Sequence, residues 1–410
     1  MTTLNTTDGP IVLAHADTRS GLCVTRSLVA AGYDIHLAVT DTGHFVCRSR
    51  FARRRFSKVA DPRVEPDEFV TDIAELCVEL NAAAVIPVTD PALSLLAVQR
   101  QSIPEGVAVF AANPAAVKAV LDKDETVELA ERLEVPYPKT INPETADELL
   151  KSAGDLRYPL ILKRKSQQEI LPEAVSNFTV HVVNNTRELE EFTAWLAKSD
   201  VVPQVQEFVD GVHHNLCCFA AGGEVVAVHE YASLRTGKHE GILRENRPVG
   251  MARLDYARRM LRSLNWDGVA FVSFVTNEDT NEDWFLEING RFWASVQGSV
   301  NMGWDFPRWV VDYFQRGDEP HVPEIPAEPL MTCYHTADLE FLIEHARGNL
   351  PYDKIGDTSV PASIWNYLRA FGPGYQSDVF RWDDPMPAIA DHGRLVKRYF
   401  KGALRRLTGG

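Results

Sequence analysis

Glu287, Asn289 and Arg291 fall at alternate positions in the stretch Asp283–Trp293, DWFLEINGRFW. Successive side chains of an extended strand point to opposite faces, so these three share a face with Phe285, while Trp284, Leu286 and Ile288 share the other. One face then presents a carboxylate, an amide oxygen and a guanidinium in a row. Oxygens at i and i+2 lie about 6–7 Å apart by strand rise, close enough to share Mg²⁺ ions and the phosphates they bridge. Mg²⁺ takes hard oxygen ligands, keeps several waters, and is usually held by one or two carboxylates plus substrate phosphates. Arg291 would neutralise a phosphoryl or carboxylate oxygen beside such a metal. A half-exposed strand with a polar outer face would show the same pattern, so spacing alone leaves both readings open.

Upstream lies the apolar run Gly268–Thr276, GVAFVSFVT, followed by an acidic turn from Asn277 to Asp283. Apolar run, polar turn, apolar run predicts a β-hairpin. A hairpin ending in E-I-N-x-R resembles the catalytic hairpin of the ATP-grasp superfamily. Its extension, Arg291–Gln297, is similar more narrowly to the ATP-grasp carboxylate–amine ligases, or carboligases. The resemblance runs in order from about Ile11 to Pro307. It implies ATP and Mg²⁺ as cofactors, Glu287 and Asn289 as metal ligands, and Arg291 as a catalytic cation.

Further residues carry the same resemblance. Asp122-Lys-Asp-Glu125 opens a helix with a D-x-x-E cap, and in the family the matching lysine, here Lys123, reaches the nucleotide phosphates. The apolar strand Tyr158–Lys163 ends in the lysine that contacts the α-phosphate and adenine in relatives. Arg164–Glu169 replaces the usual glycine-rich loop, leaving Arg164, Lys165 and Ser166 as side-chain donors. Val205–Gly211 matches the interlobe hinge, so Glu207, Phe208 and Val209 would read adenine. His213 stands where an acidic residue usually meets the ribose, and imidazole can also bond a hydroxyl. In the loop Leu234–Glu245, Arg235 is the first choice for the terminal phosphates, with Lys238 and Arg244 after it. One position departs: Ser273 occupies the place of a metal-binding glutamate and offers no anionic oxygen.

The elements that must hold these residues read as α/β and α+β. Ile11–Ala14, a helical pattern ending at Gly32 and Asp34–Val39 form a βαβ unit, hence a parallel sheet. The first turn has only Gly21, not the G-x-G-x-x-G of a dinucleotide site. The expected organisation is a Rossmann-like pre-ATP-grasp domain at 1–118, then a two-lobed ATP-grasp fold with a small lobe at 119–200 and a large catalytic lobe at 201–320, and a C-terminal extension at 321–410. Thr89 and Asp90, at the carboxyl end of a strand, read either as ligand contacts or as a helix cap before Pro91.

The chain of 410 residues is 45% hydrophobic and carries a net charge of −15. That acidity argues against a nucleic-acid partner. Six cysteines form no C-x-x-C pair. The first ten residues lack the pattern of a signal peptide, and no apolar run is long enough for a bilayer. A cytoplasmic enzyme with small-molecule carboxylate and amine substrates is the expectation, with a homodimer left open. The resemblance implies transfer of phosphate from ATP to a carboxylate, then attack by an amine. An ATP-binding regulatory protein without catalysis is the alternative that Ser273 motivates. A biotin-carboxylase-like enzyme would need the longer glycine-rich loop. The basic amphipathic pattern Leu395–Leu407 reads as a surface or partner-docking helix rather than a membrane anchor, because one basic helix anchors weakly.

Overall fold

The computed structural model describes residues 9–52, 55–165, 175, 178, 180–237, 241–325, 328–348 and 359–408, the last seven as backbone only. The chain divides into two compact units. The first comprises Met1–Ala111, Tyr231–Pro248 and Arg291–Gly410, the second Ala112–Glu230 and Val249–Gly290.

The first unit contains a parallel sheet of β1 (Ile11–Ala14), β2 (Ile35–Val39), β3 (Phe56–Lys58), β4 (Ala84–Pro87) and β5 (Ala108–Val109), in the order β3-β2-β1-β4-β5. Every residue of β1 and β4 is buried, as expected of parallel strands covered on both faces. The helix Arg19–Ala30 follows β1 and is capped by Thr18, whose hydroxyl accepts from the Gly21 amide. A Cβ at Gly21 would come within 2.1 Å of the Ala16 carbonyl oxygen. That glycine therefore serves the tightness of the turn. Thr89 caps the helix Asp90–Val98 by accepting from the Ala92 amide, which supports the cap reading.

In the second unit, β6 (Thr140–Ile141), β7 (Leu160–Lys163), β8 (Val180–Val183) and β9 (Gln204–Glu207) form an antiparallel sheet in the order β6-β9-β7-β8. Leu160, Leu162 and Val205 from the sheet pack with Leu149, Leu189 and Leu196 from two helices. A second antiparallel array holds β10 (Val212–Ala221) and β11 (Glu224–Thr236). Residues of β11 from Tyr231 on belong to the first unit, as does β12 (Gly241–Arg247). The expected hairpin is β13 (Gly268–Asn277) and β14 (Glu282–Asn289), and β13 also pairs with β10. In the first unit β12 pairs with β15 (Met331–Cys333), and β15 with β16 (Tyr375–Ser377).

The hairpin corrects one detail of the strand reading. Ser273 pairs with Glu287 but Phe274 pairs with Phe285, so Leu286 is an extra, bulged residue. Alternation fails there, and Phe285 lies on the apolar face with Ile288 rather than beside Glu287. Both are buried, and Phe285 meets Phe274 edge-on at 6.0 Å.

The C-terminal residues are tied to the start of the chain within the first unit. Arg19 and Arg244 both pair with the buried Asp378. Arg26, Ser49 and the Arg50 amide all converge on Asp384. Among the described residues no helix is long and apolar enough to cross a membrane.

Candidate active site

Strand pairing in the second unit builds a polar ladder across three strands. Asn215 of β10 faces Ser273 of β13, which faces Glu287 of β14. The Ser273 hydroxyl donates to Asn215 Oδ1 at 3.0 Å. The Asn289 amide nitrogen donates to Glu287 Oε1 at 2.9 Å, which turns Asn289 Oδ1 away from that carboxylate. Asn215, Ser273 and Asn289 are buried and Glu287 is half-buried. His213 lies two residues before Asn215 on the same strand face and is half-buried.

Two lysines of the second unit lie within electrostatic reach of Glu287. Lys123 opens the helix Lys123–Arg132, placed by Asp122, whose carboxylate accepts from the Asp124 and Glu125 amides. Burial pushes the Lys123 ammonium down, the Glu287 carboxylate opposes that shift, and Arg164 adds to it. Lys163 ends β7 and donates to Gln206 Oε1 at 2.6 Å, and Gln206 donates to Thr140. Its pKa is lowered to about 8, by burial first and then by repulsion from Lys123, with Glu287 opposing. An anion placed here would relieve both lysines.

The residues expected at a hinge, Glu207 to Val209, are engaged within the protein. The Glu207 carboxylate accepts from the Arg157 amide at 3.0 Å and from its guanidinium at 3.2 Å. The Glu207 amide donates to the Lys139 carbonyl and the Phe208 amide to the Pro159 carbonyl. Phe208 is exposed and Val209 half-buried. In the first unit, Arg235 is buried and pairs with Asp338 at 2.8 Å. Burial raises the Asp338 carboxyl and Arg235 opposes that. Arg291 pairs with Asp90 at 3.0 Å. Arg244 is bound to both carboxylate oxygens of Asp378. Lys238 and Ser166 lie outside the described residues.

Asn215, Gln206, Thr140 and Arg157 were not singled out from the sequence. Asn215 could have been found by its spacing of two from His213. Thr140 and Gln206 owe their places to pairing between distant strands, and Arg157, just before β7, meets Glu207 because β7 pairs with β9. The donor types fit Mg²⁺: Glu287 would supply a carboxylate and Asn289, once its side-chain amide turns Oδ1 rather than nitrogen toward Glu287, a neutral hard oxygen, a set that would leave ligand positions for water and phosphate. Among the described residues no group of three His, Cys, Asp or Glu side chains gathers as a metal cage.

No protein-family model matches the sequence, and no curated protein matches it significantly. Solved structures do match. N5-carboxyaminoimidazole synthetase from Staphylococcus aureus is 14% identical, with 85% of this chain and 88% of that one aligned at a TM-score of 0.62. The biotin carboxylase domain of Hydrogenobacter thermophilus 2-oxoglutarate carboxylase, a dimer solved with MgADP and bicarbonate, is 13% identical over 77% of this chain and 71% of that one, at 0.59. The L-amino acid ligase from Bacillus licheniformis is 14% identical over 75% and 73%, at 0.56. The chain has the ATP-grasp fold. At these identities the likeness speaks to the fold alone, and the chemistry of this chain rests on its own residues.

Proposed function

We propose that this ATP-grasp protein is a ligase that joins a carboxylate to an amine at the expense of ATP. The observation that carries the reading is the second unit's ladder: Glu287 beside Asn289 and Ser273, with Lys123 and Lys163 both within its electrostatic reach. A substrate carboxylate oxygen attacks the γ-phosphorus, and ADP leaves. The amine nitrogen then attacks the acyl carbon of the resulting acyl phosphate. Phosphate leaves, and the amine proton passes to solvent. Neither step needs an enzyme nucleophile, so the protein's contribution is positioning and charge neutralisation.

Lys163 and Lys123 bind nucleotide phosphate oxygens in this reading. The hinge Glu207–Val209 borders the adenine, with Arg157 holding Glu207 in place, and His213 meets the ribose. Glu287 and Asn289 would hold Mg²⁺, which supplies charge neutralisation at the phosphates. Arg235 and Arg291 are the cations assigned to developing negative charge. Each is steered by a carboxylate, Asp338 or Asp90, and an arginine so paired retains further N–H donors. The parallel sheet of β1–β5 is assigned to a pre-ATP-grasp domain, 1–118.

The decisive experiment is ADP release with Mg-ATP over a panel of carboxylic acids and amines. Release that requires one acid and one amine supports the ligase. ATP binding with no release over the panel would favour a nucleotide-binding regulatory protein, the reading that neutral Ser273 supports. Absence of ATP binding would overturn both.

A further inference from the structure

The C-terminal helix Met386–Thr408 divides into three faces at helical spacing. Ala388, Asp391 and Leu395 are buried on the first unit. Asp391 accepts from the Thr336 hydroxyl at 2.6 Å, and Tyr399 donates to Glu344. These contacts fix the rotation of the helix. Met386, Ile389, Val396 and Phe400 follow one another at three, seven and four residues, a single apolar stripe. They are 50%, 59%, 60% and 70% exposed, and Trp382, just before the helix, is 91% exposed. Between the stripe and the far edge of the buried face run Arg394, Lys397, Arg398 and Lys401, all exposed.

Isolated exposed apolar side chains are ordinary, whereas a contiguous stripe marks a surface that meets something. Ten of the twenty large apolar side chains exposed among the described residues fall between Ile364 and Phe400. The charge beside the stripe selects the occupant. The helix carries six Lys and Arg against one acidic residue, the buried Asp391, in a chain of net charge −15. Two of these cations hold ion pairs, Arg394 with the exposed Asp41 and Arg398 with the half-buried Glu340; the exposed pair is of the kind that contributes little and exchanges readily. A second copy placed stripe to stripe would set basic edge against basic edge with no acidic residue on either exposed helix face to answer it. An anionic lipid surface accepts both features together: apolar side chains enter the boundary of headgroup and acyl chain, and flanking Lys and Arg meet the phosphates. Tryptophan is also at home at that depth. A lone basic helix anchors weakly, but here a basic edge and an apolar stripe lie side by side.

We propose that the helix Met386–Thr408, together with Trp382, is a peripheral docking surface for anionic membrane lipid, on which the protein lies without spanning the bilayer.

The test is sedimentation of the full chain with vesicles of phosphatidylcholine alone and of phosphatidylcholine with phosphatidylglycerol. Partition should be at least about tenfold higher onto the anionic vesicles and should fall with added salt. The double variant Val396→Asp/Phe400→Asp, and separately Lys397→Glu/Lys401→Glu, should each lose at least about tenfold in partition while keeping the wild-type melting temperature. These side chains are exposed, so folding should not be disturbed. Equal partition onto neutral and anionic vesicles would overturn the proposal, as would undiminished binding by either variant. A dimer in light scattering that Val396→Asp/Phe400→Asp abolishes would also overturn it, by assigning the stripe to a second copy.

Discussion

Lys163 gives the sharpest test of the proposed nucleotide site. Its pKa is lowered to about 8, because burial and the nearby Lys123 both disfavour the ammonium form. At that value roughly nine in ten Lys163 side chains are charged at pH 7 and roughly one in ten at pH 9, whereas an ordinary lysine near 10.4 stays charged throughout. If phosphate binds the ammonium form, the apparent Kd for ATP must rise by about tenfold between those pH values. A charge-assisted hydrogen bond of about 1.5–3 kcal/mol can sustain a change of that size. The direction is fixed: a lysine whose pKa is depressed is charged below about pH 8, so affinity is full on the acid side and is lost as pH rises through 8. Calorimetric titration of Mg-ATP at several pH values between 7 and 9 measures it. Lys163→Arg, which keeps its charge over the range, should flatten most of the rise, with Lys123 leaving a residue because its pKa is lowered too. A wild-type Kd equal at pH 7 and pH 9 would refute the placement of phosphate at Lys163.

Glu287→Gln keeps the shape of the ladder and removes its carboxylate, so ADP release should fall by at least about a hundredfold; an unchanged rate would reduce Glu287 to a strand residue. Ser273→Glu adds a carboxylate opposite Glu287, and a Mg²⁺ titration of ADP release should reach half-maximum at lower Mg²⁺; an equal or higher requirement would count against a metal at this ladder. Asp378→Ala leaves Arg19 and Arg244 buried without their shared partner, and urea unfolding should show a loss of about 3–5 kcal/mol. A loss under about 1 kcal/mol would mean that water reaches those guanidinium groups, since an exposed pair contributes no more than that.

What the sequence by itself determined is local. The βαβ start, the Asp122 cap that sets Lys123 at a helix N-terminus, the hairpin around Asn277–Glu282 and the neighbouring Glu287 and Asn289 all follow from hydrophobic period, caps and turn residues within a dozen positions. The similarity of fold was legible there too, through E-I-N-x-R and the order of lysines. Tertiary structure decided what depends on pairing across the chain. Strict alternation put Phe285 beside Glu287, and only the register against β13 reveals the bulge at Leu286 that turns it into the core. Arg235 and Arg291 look equally free in sequence, yet Asp338 and Asp90, far away in the chain, hold them. Glu207 meets Arg157, and Asn215 meets Ser273, because strands separated by tens of residues lie side by side. The exposed stripe on the C-terminal helix has the same origin. Sequence shows that the helix is amphipathic and basic, but which of its faces is spent on the core depends on the side chains that fold against it, and a helical period carries no record of its partner.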